Sequence, residues 1–148
     1  MKKIIIGLVS LVNILAVSAN GNVPVSEKVQ QSFEKEFVKA TNLNWEAKDK
    51  NVFHATFTYN GSQVEANFDG EGNLLSTVRL ITEYQLPVMI VKTLSRDYGQ
   101  YKIRRAQECN NNNDTHYLVT IYNNTESISL KFFSNGDEQR ISKTKNIN

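Results

Sequence analysis

The sequence predicts an α+β fold: a helix plus a four-stranded antiparallel sheet, made twice in tandem, with the helices packed on one face. Three observations carry that expectation. Two short stretches place apolar residues at helical spacing, each just after a proline. The segments that follow alternate apolar and polar residues, as strands with one buried side do. The two halves also match each other in order.

The match is specific. Phe53, Phe57, Asn60, Val64, Ala66, Phe68 and Gly72 recur sixty-four residues later as Tyr117, Ile121, Asn124, Ile128, Leu130, Phe132 and Gly136. The stripe Val29, Phe33, Phe37 recurs at a spacing of sixty-one as Ile90, Leu94, Tyr98, with Pro24 and Pro87 ahead of the two stripes. The change of spacing marks length differences between the halves. The largest is the polar run Asn110-Asn111-Asn112-Asn113-Asp114, which has the composition of a solvated loop. Residues 20–83 are therefore assigned to a first helix-plus-sheet unit and 84–148 to a second, within one compact domain.

The first nineteen residues read as a secretory signal. Met1-Lys2-Lys3 is a positive start, Ile4 to Val17 is apolar, and Val17-Ser18-Ala19 supplies the small residues a signal peptidase needs. The apolar run, interrupted by Gly7, Ser10 and Asn13, falls short of the roughly 20 residues that cross a bilayer. No later segment could span one, and no cysteine follows to carry a lipid. Cleavage after Ala19 leaves 129 of the 148 residues, enough for one domain with its own core. Without Lys2 and Lys3 the 17 basic residues become 15, equal to the 15 acidic ones. An evenly mixed, neutral surface argues against nucleic acid and against docking on anionic lipid.

Pro24 can open the first helix, because a first turn does not use the missing N–H. Val29, Phe33, Phe37 and Ala40 then share a face. Strands follow at Asn44–Lys48, Val52–Tyr59, the segment through Val64, Ala66 and Phe68, and Leu74–Ile81. Asn60-Gly61 is a short-hairpin signal, since both central residues of the favoured turn need positive φ. The second helix opens at Pro87, carries Ile90, Val91, Leu94 and Tyr98, and stops near Gly99. Strands are expected at Tyr101–Gln107, His116–Tyr122, Ser127–Phe133 and Glu138–Lys143. Trp45 is expected in the core against Phe33 and Phe37.

Trp45, Phe57 to Gly61, the turn Phe68-Asp69-Gly70-Glu71-Gly72-Asn73, Leu86-Pro87, the segment Tyr98-Gly99-Gln100-Tyr101-Lys102-Ile103 and Tyr117 together carry a family resemblance. From about Val23 to Ile141 the chain resembles the PepSY-like secreted proteins, whose fold is similar to that of beta-lactamase-inhibitory protein. The resemblance implies a periplasmic or secreted binding module, with regulation or inhibition of another extracytoplasmic protein as a role. Two departures from the inhibitor stand out. Cys109 has no partner, where the inhibitor is held by disulfides, and the turn Phe133-Ser134-Asn135-Gly136 lacks an acid at the place of Asp69.

Catalytic patterns are missing from the sequence. No serine sits between glycines as a nucleophile elbow requires. His54 and His116 lack a second histidine four residues away and read as solvated residues on the polar side of the sheet. Cys109, alone in an oxidising compartment, reads as a small apolar filler at a strand end; the alternative is a reactive thiol, paired with His116 across the asparagine run. Asp69, Glu71 and Asn73 alternate like calcium ligands, but the sixth and twelfth loop positions hold Leu74 and Leu80, not glycine and glutamate. A turn explains that stretch. The sequons at Asn60, Asn113 and Asn123 read as turns as well. No metal or cofactor is expected.

A surface remains. In the first half the side away from the helices is expected to carry His54, Thr56, Thr58, Glu65, Asn67, Thr77 and Arg79. In the second half the same side carries His116, Leu118, Thr120, Tyr122, Ser129, Lys131 and Phe133. Leu118, Tyr122 and Phe133, with Lys131 and His116 beside them, form a candidate partner-binding patch of aromatic anchors and polar rim. The functional expectation is an exported, non-catalytic binding module for another extracytoplasmic protein. The alternatives are a carrier of a small ligand between sheet and helices, and a small thiol or hydrolytic enzyme.

Overall fold

The computed structural model describes residues 24–49, 51–111 and 114–145; the expected signal at 1–19 lies outside them. The elements are α1 (Glu27–Glu36), β1 (Thr41–Asp49), β2 (Val52–Tyr59), β3 (Ser62–Asp69), β4 (Leu74–Ile81), a 3-10 turn (Glu83–Gln85), α2 (Val88–Asp97), β5 (Lys102–Asn111), β6 (Asp114–Tyr122), β7 (Glu126–Phe133) and β8 (Glu138–Lys145). Among the described residues no helix is long and apolar enough to cross a membrane.

The expected pair of helix-plus-four-strand units is overturned. The eight strands form one antiparallel sheet in the order β1 to β8, and the two ten-residue helices are small beside it. The join lies at β4 and β5, which pair without a break from Ser76↔Asn111 to Ile81↔Ala106. Two separate sheets would leave two more edges with unpaired N–H and C=O groups, and the join removes both. The matched spacing in the sequence thus reports recurring buried positions along one sheet. Phe57 and Ile121, and likewise Phe68 and Phe132, are all buried.

Local chemistry explains the helix starts. Ser26 caps α1, its side chain accepting from the Val29 N–H at 3.4 Å, with Glu27 in the first turn. Pro24 therefore precedes the helix rather than opening it. Pro87 stands at the cap position of α2, where no side chain bonds the turn. Each helix buries two side chains, Val29 and Phe33 from α1 and Ile90 and Leu94 from α2.

Cross-strand register puts Phe57, Val64, Arg79, Glu108, Tyr117 and Phe132 on one side of the sheet. That side holds two apolar clusters. One joins Val29 and Phe33 to Ala55, Phe57, Val64, Ala66 and Phe68; the other joins Ile90 and Leu94 to Val119, Ile121, Ile128, Leu130 and Phe132. Between them runs a polar seam. The Arg79 guanidinium donates to both Glu108 carboxylate oxygens at 3.3 Å, so the two charges are half-buried together. Trp45 is only half-buried, near the sheet edge, and packs on Phe33 and Phe68 with ring centroids 5.5 and 5.9 Å away.

The turns carry the helices. Asn60 and Gly61 take φ of 48° and 77°, the positive pair a two-residue hairpin needs. Gly72 (φ 85°) lies under α1, where an added Cβ would meet Ser32 Oγ at 2.6 Å. Gly136 (φ 91°) lies under α2, where a Cβ would stand 3.1 Å from the Met89 carbonyl oxygen, and its own carbonyl accepts from Thr93 Oγ1. Gly136→Ala is expected to destabilise by about 1–2 kcal/mol from the left-handed backbone alone. Crowding on the helix backbone adds to it. A denaturant melt unchanged by the substitution would show that Gly136 does not hold the left-handed backbone that this turn requires.

Asp69 organises the turn between β3 and β4. Its carboxylate accepts from the backbone N–H groups of Glu71 and Asn73 and from Asn73 Nδ2, all at 2.8–2.9 Å. The Asn73 side chain, and then its backbone, hold the carboxyl below its ordinary value near 3.8. A lowered folded pKa means the stabilisation is complete above about 3.8 and fades as pH falls from there through the folded value. Asp69→Ala is expected to flatten that part of the acid-unfolding curve. An unchanged acid limb would contradict it.

The described residues of the asparagine run, Asn110, Asn111 and Asp114, belong to the ladder and not to a loop. β5 continues to Asn111 and β6 resumes at Asp114; Asn110 pairs with Thr115, whose hydroxyl donates to Asn110 Oδ1 at 2.6 Å. Matching side-chain partners across the strands hold polar residues in the sheet where composition alone suggests a loop.

Candidate functional site

The side of the sheet opposite the two clusters is where the candidate residues fall. Strand pairing sets out its rows. One row runs Glu65, Val78, Cys109, His116, Phe133 across β3 to β7. The next runs Leu80, Gln107, Leu118, Lys131, Gln139 across β4 to β8. His116 and Phe133 are direct cross-strand partners, as are Leu118 and Lys131. Four of the five candidate residues therefore adjoin. Phe133 is 37% exposed, and the Lys131 ammonium stands 5.1 Å from its ring centroid.

Tyr122 stands apart. It pairs with Ser127 and Lys102 and lies four residues along β6 from Leu118, about 13 Å at strand rise. Arg104 covers its ring at 4.6 Å.

The alternation slips on β4. A bulge after Asn67 makes Phe68 face Leu74, which turns Thr77 and Arg79 to the clustered side and Val78 and Leu80 to the open one. Leu80 is 38% exposed. The first half is therefore not polar throughout on this side, and Val78 and Leu80 extend the patch centred on Leu118 and Phe133. Ile81, buried and odd-numbered, is the sequence signal that could have set the phase of β4 from its far end.

The histidines are not solvated as expected. His54 is 5% exposed; its Nδ1–H donates to Asn67 Oδ1 at 2.9 Å, Asn67 Nδ2 donates to Ser76 Oγ at 2.9 Å, and Nε2 lies 3.7 Å from Glu65. This chain ties β2, β3 and β4 together under the polar row. His116 Nδ1 is buried without a hydrogen bond, 3.5 Å from Asp114 Oδ2. His54 and His116 are four strands apart, about 19 Å at sheet spacing, too far to share a metal. Among the described residues no group of three acidic, histidine or cysteine side chains could hold one.

Cys109 is not at a strand end. It lies within β5, buried, directly opposite His116. Burial pushes its thiol pKa up, and the Glu65 carboxylate adds to the rise. A nucleophilic cysteine needs the opposite shift, toward thiolate at neutral pH. The pairing gives proximity without activation.

No protein-family model matches the chain, and no curated protein does. Solved structures do. A BLIP-like protein from Bacteroides fragilis superposes with a TM-score of 0.69 at 22% identity, over 86% of this chain and 91% of that one. A DUF2874 family protein from Bacteroides uniformis gives a TM-score of 0.68 at 17% identity, over 81% and 88%. A provisionally periplasmic protein from Bacteroides eggerthii gives 0.69 at 13%, over 82% and 88%. At these identities the likeness shows the fold, and the fold is BLIP-like, as the family resemblance implied.

Proposed function

We propose that the chain is an exported, non-catalytic binding module of the PepSY-like kind that docks another extracytoplasmic protein on the open side of its sheet. The observation that carries this reading is the run of apolar residues Val78 and Leu80 on β4 and Leu118 and Phe133 on β6 and β7, joined through Cys109 and Gln107 of β5 and flanked by Lys131 and His116, on the side away from the clustered core. Soluble sheets keep such a side polar, and large apolar side chains there serve contact with something else. Regulation or inhibition of the partner is the role that suits a rigid surface with no activated nucleophile. The raised thiol pKa of Cys109 supports the non-catalytic reading.

The test uses immobilised wild-type protein and a Leu118→Asp variant against the same periplasmic extract. A protein retained by the first and lost from the second is the expected result. Identical retention by both would overturn the patch, and concentration-dependent dimers abolished by Leu118→Asp would make a second copy the occupant instead.

A further inference from the structure

We propose a second, separate site: a cleft between the end of α2 and the sheet that takes an anionic amphiphile, a single apolar chain or ring system ending in a carboxylate or similar group. The cleft holds about 710 Å³, within the range of small-molecule sites. Leu86, Leu94, Ile103 and Ile121 give it an apolar lining. The groove in the matching place beside α1 is smaller, about 400 Å³. There the rings of Phe33, Phe37, Trp45 and Phe57 pack on one another at centroid distances of 4.6–5.5 Å. Leu94, Ala106 and Ile121 stand where Phe33, Trp45 and Phe57 do, so less side chain fills the space.

The walls are fixed before any ligand arrives. Tyr98 donates its hydroxyl to Glu138 and Tyr101 donates to Glu126, which Lys143 also holds at 2.8 Å. Their polar ends are satisfied by the protein, so the rings can offer the cleft apolar surface at little ordering cost.

A polar annexe of about 470 Å³ adjoins the cleft and shares Lys102 and Tyr122 with it. The rest of its lining is Gln100, Asn123, Asn124 and Thr125, with no carboxylate. Lys102 makes no ion pair among the described residues. Glu83, the acid of the site, lines the cleft and not the annexe. Apolar body in the cleft and anionic head at Lys102 is the orientation this distribution of charge selects. Tyr122, set apart from Leu118 and Phe133 on the sheet, belongs here.

Calorimetric titration of the purified protein with dodecanoate, below its micelle concentration, tests the site. Saturable binding of one equivalent is expected, abolished by Ser95→Trp, which puts an indole into the cleft from the exposed side of α2. Lys102→Met, a surface change that leaves the core alone, is expected to weaken dodecanoate about tenfold and leave dodecanol unchanged. Absence of saturable binding would overturn the proposal, as would equal effects of Lys102→Met on the two ligands. Unaltered binding by a folded Ser95→Trp protein would place the ligand elsewhere. Partner docking on the open side of β6 and β7 is expected to survive both substitutions, so the two sites fail or stand separately.

Discussion

Phe68→Ala is expected to destabilise the protein by about 3–5 kcal/mol, the range for deleting a fully buried phenylalanine. Its ring is wholly buried and meets Phe33, Phe37 and Trp45 at centroid distances of 6.3, 6.4 and 5.9 Å. Those partners come from α1, the helix end and the edge strand β1, so they cannot all move in to fill the space. Trp45→Ala removes a larger side chain but one that solvent already reaches, and is expected to cost less. Urea melts that reverse this order would place the centre of the first cluster at the edge of the sheet and not at β3.

Val78→Pro tests the join. Val78 pairs with Glu65 on one side and Cys109 on the other, in a strand with neighbours on both flanks. Proline there removes a ladder hydrogen bond in a strand flanked on both sides, where proline is essentially not found, so the loss of stability is expected to exceed the roughly 1 kcal/mol of an average substitution. The form of unfolding is as telling as its midpoint. Trp45 reports the first cluster, while Tyr98 and Tyr117 belong to the second. In one continuous sheet the tryptophan and tyrosine signals of the wild-type protein are expected to change together. Two separated transitions would mean that the clusters hold independently and that the β4–β5 pairing adds little.

Much of this fold can be read from residues one at a time. Alternation located β2, β3, β6 and β7 because one side of each meets a cluster, and Asn60-Gly61 announced its hairpin because both residues take positive φ. What the chain does not announce is set by pairing between distant segments. α2 separates β4 from β5 in sequence, so their alignment has no local signal. The bulge after Asn67 inverted the sides of Thr77, Val78, Arg79 and Leu80, since a one-residue slip exchanges the faces of a strand. His54 looked solvated because it alternates with core residues; its burial depends on Asn67 and Glu65 from the next strand. Of the candidate patch, His116, Leu118, Lys131 and Phe133 lie together as alternation placed them, while Tyr122 sits four residues further along β6, where it lines the cleft.

The most direct test of the proposed open-side docking surface is a paired measurement on Phe133→Ala: affinity for whatever partner the wild-type protein retains, and stability in denaturant. The side chain is 37% exposed on a sheet side that carries no helix cluster, so its loss leaves no closed cavity. Partner binding is expected to weaken by about 2 kcal/mol or more, as for an interface anchor. Folding stability is expected to change by about 0.5 kcal/mol or less, as for a surface position. A large loss of stability with unchanged affinity would show that Phe133 is core and that the docking surface lies elsewhere.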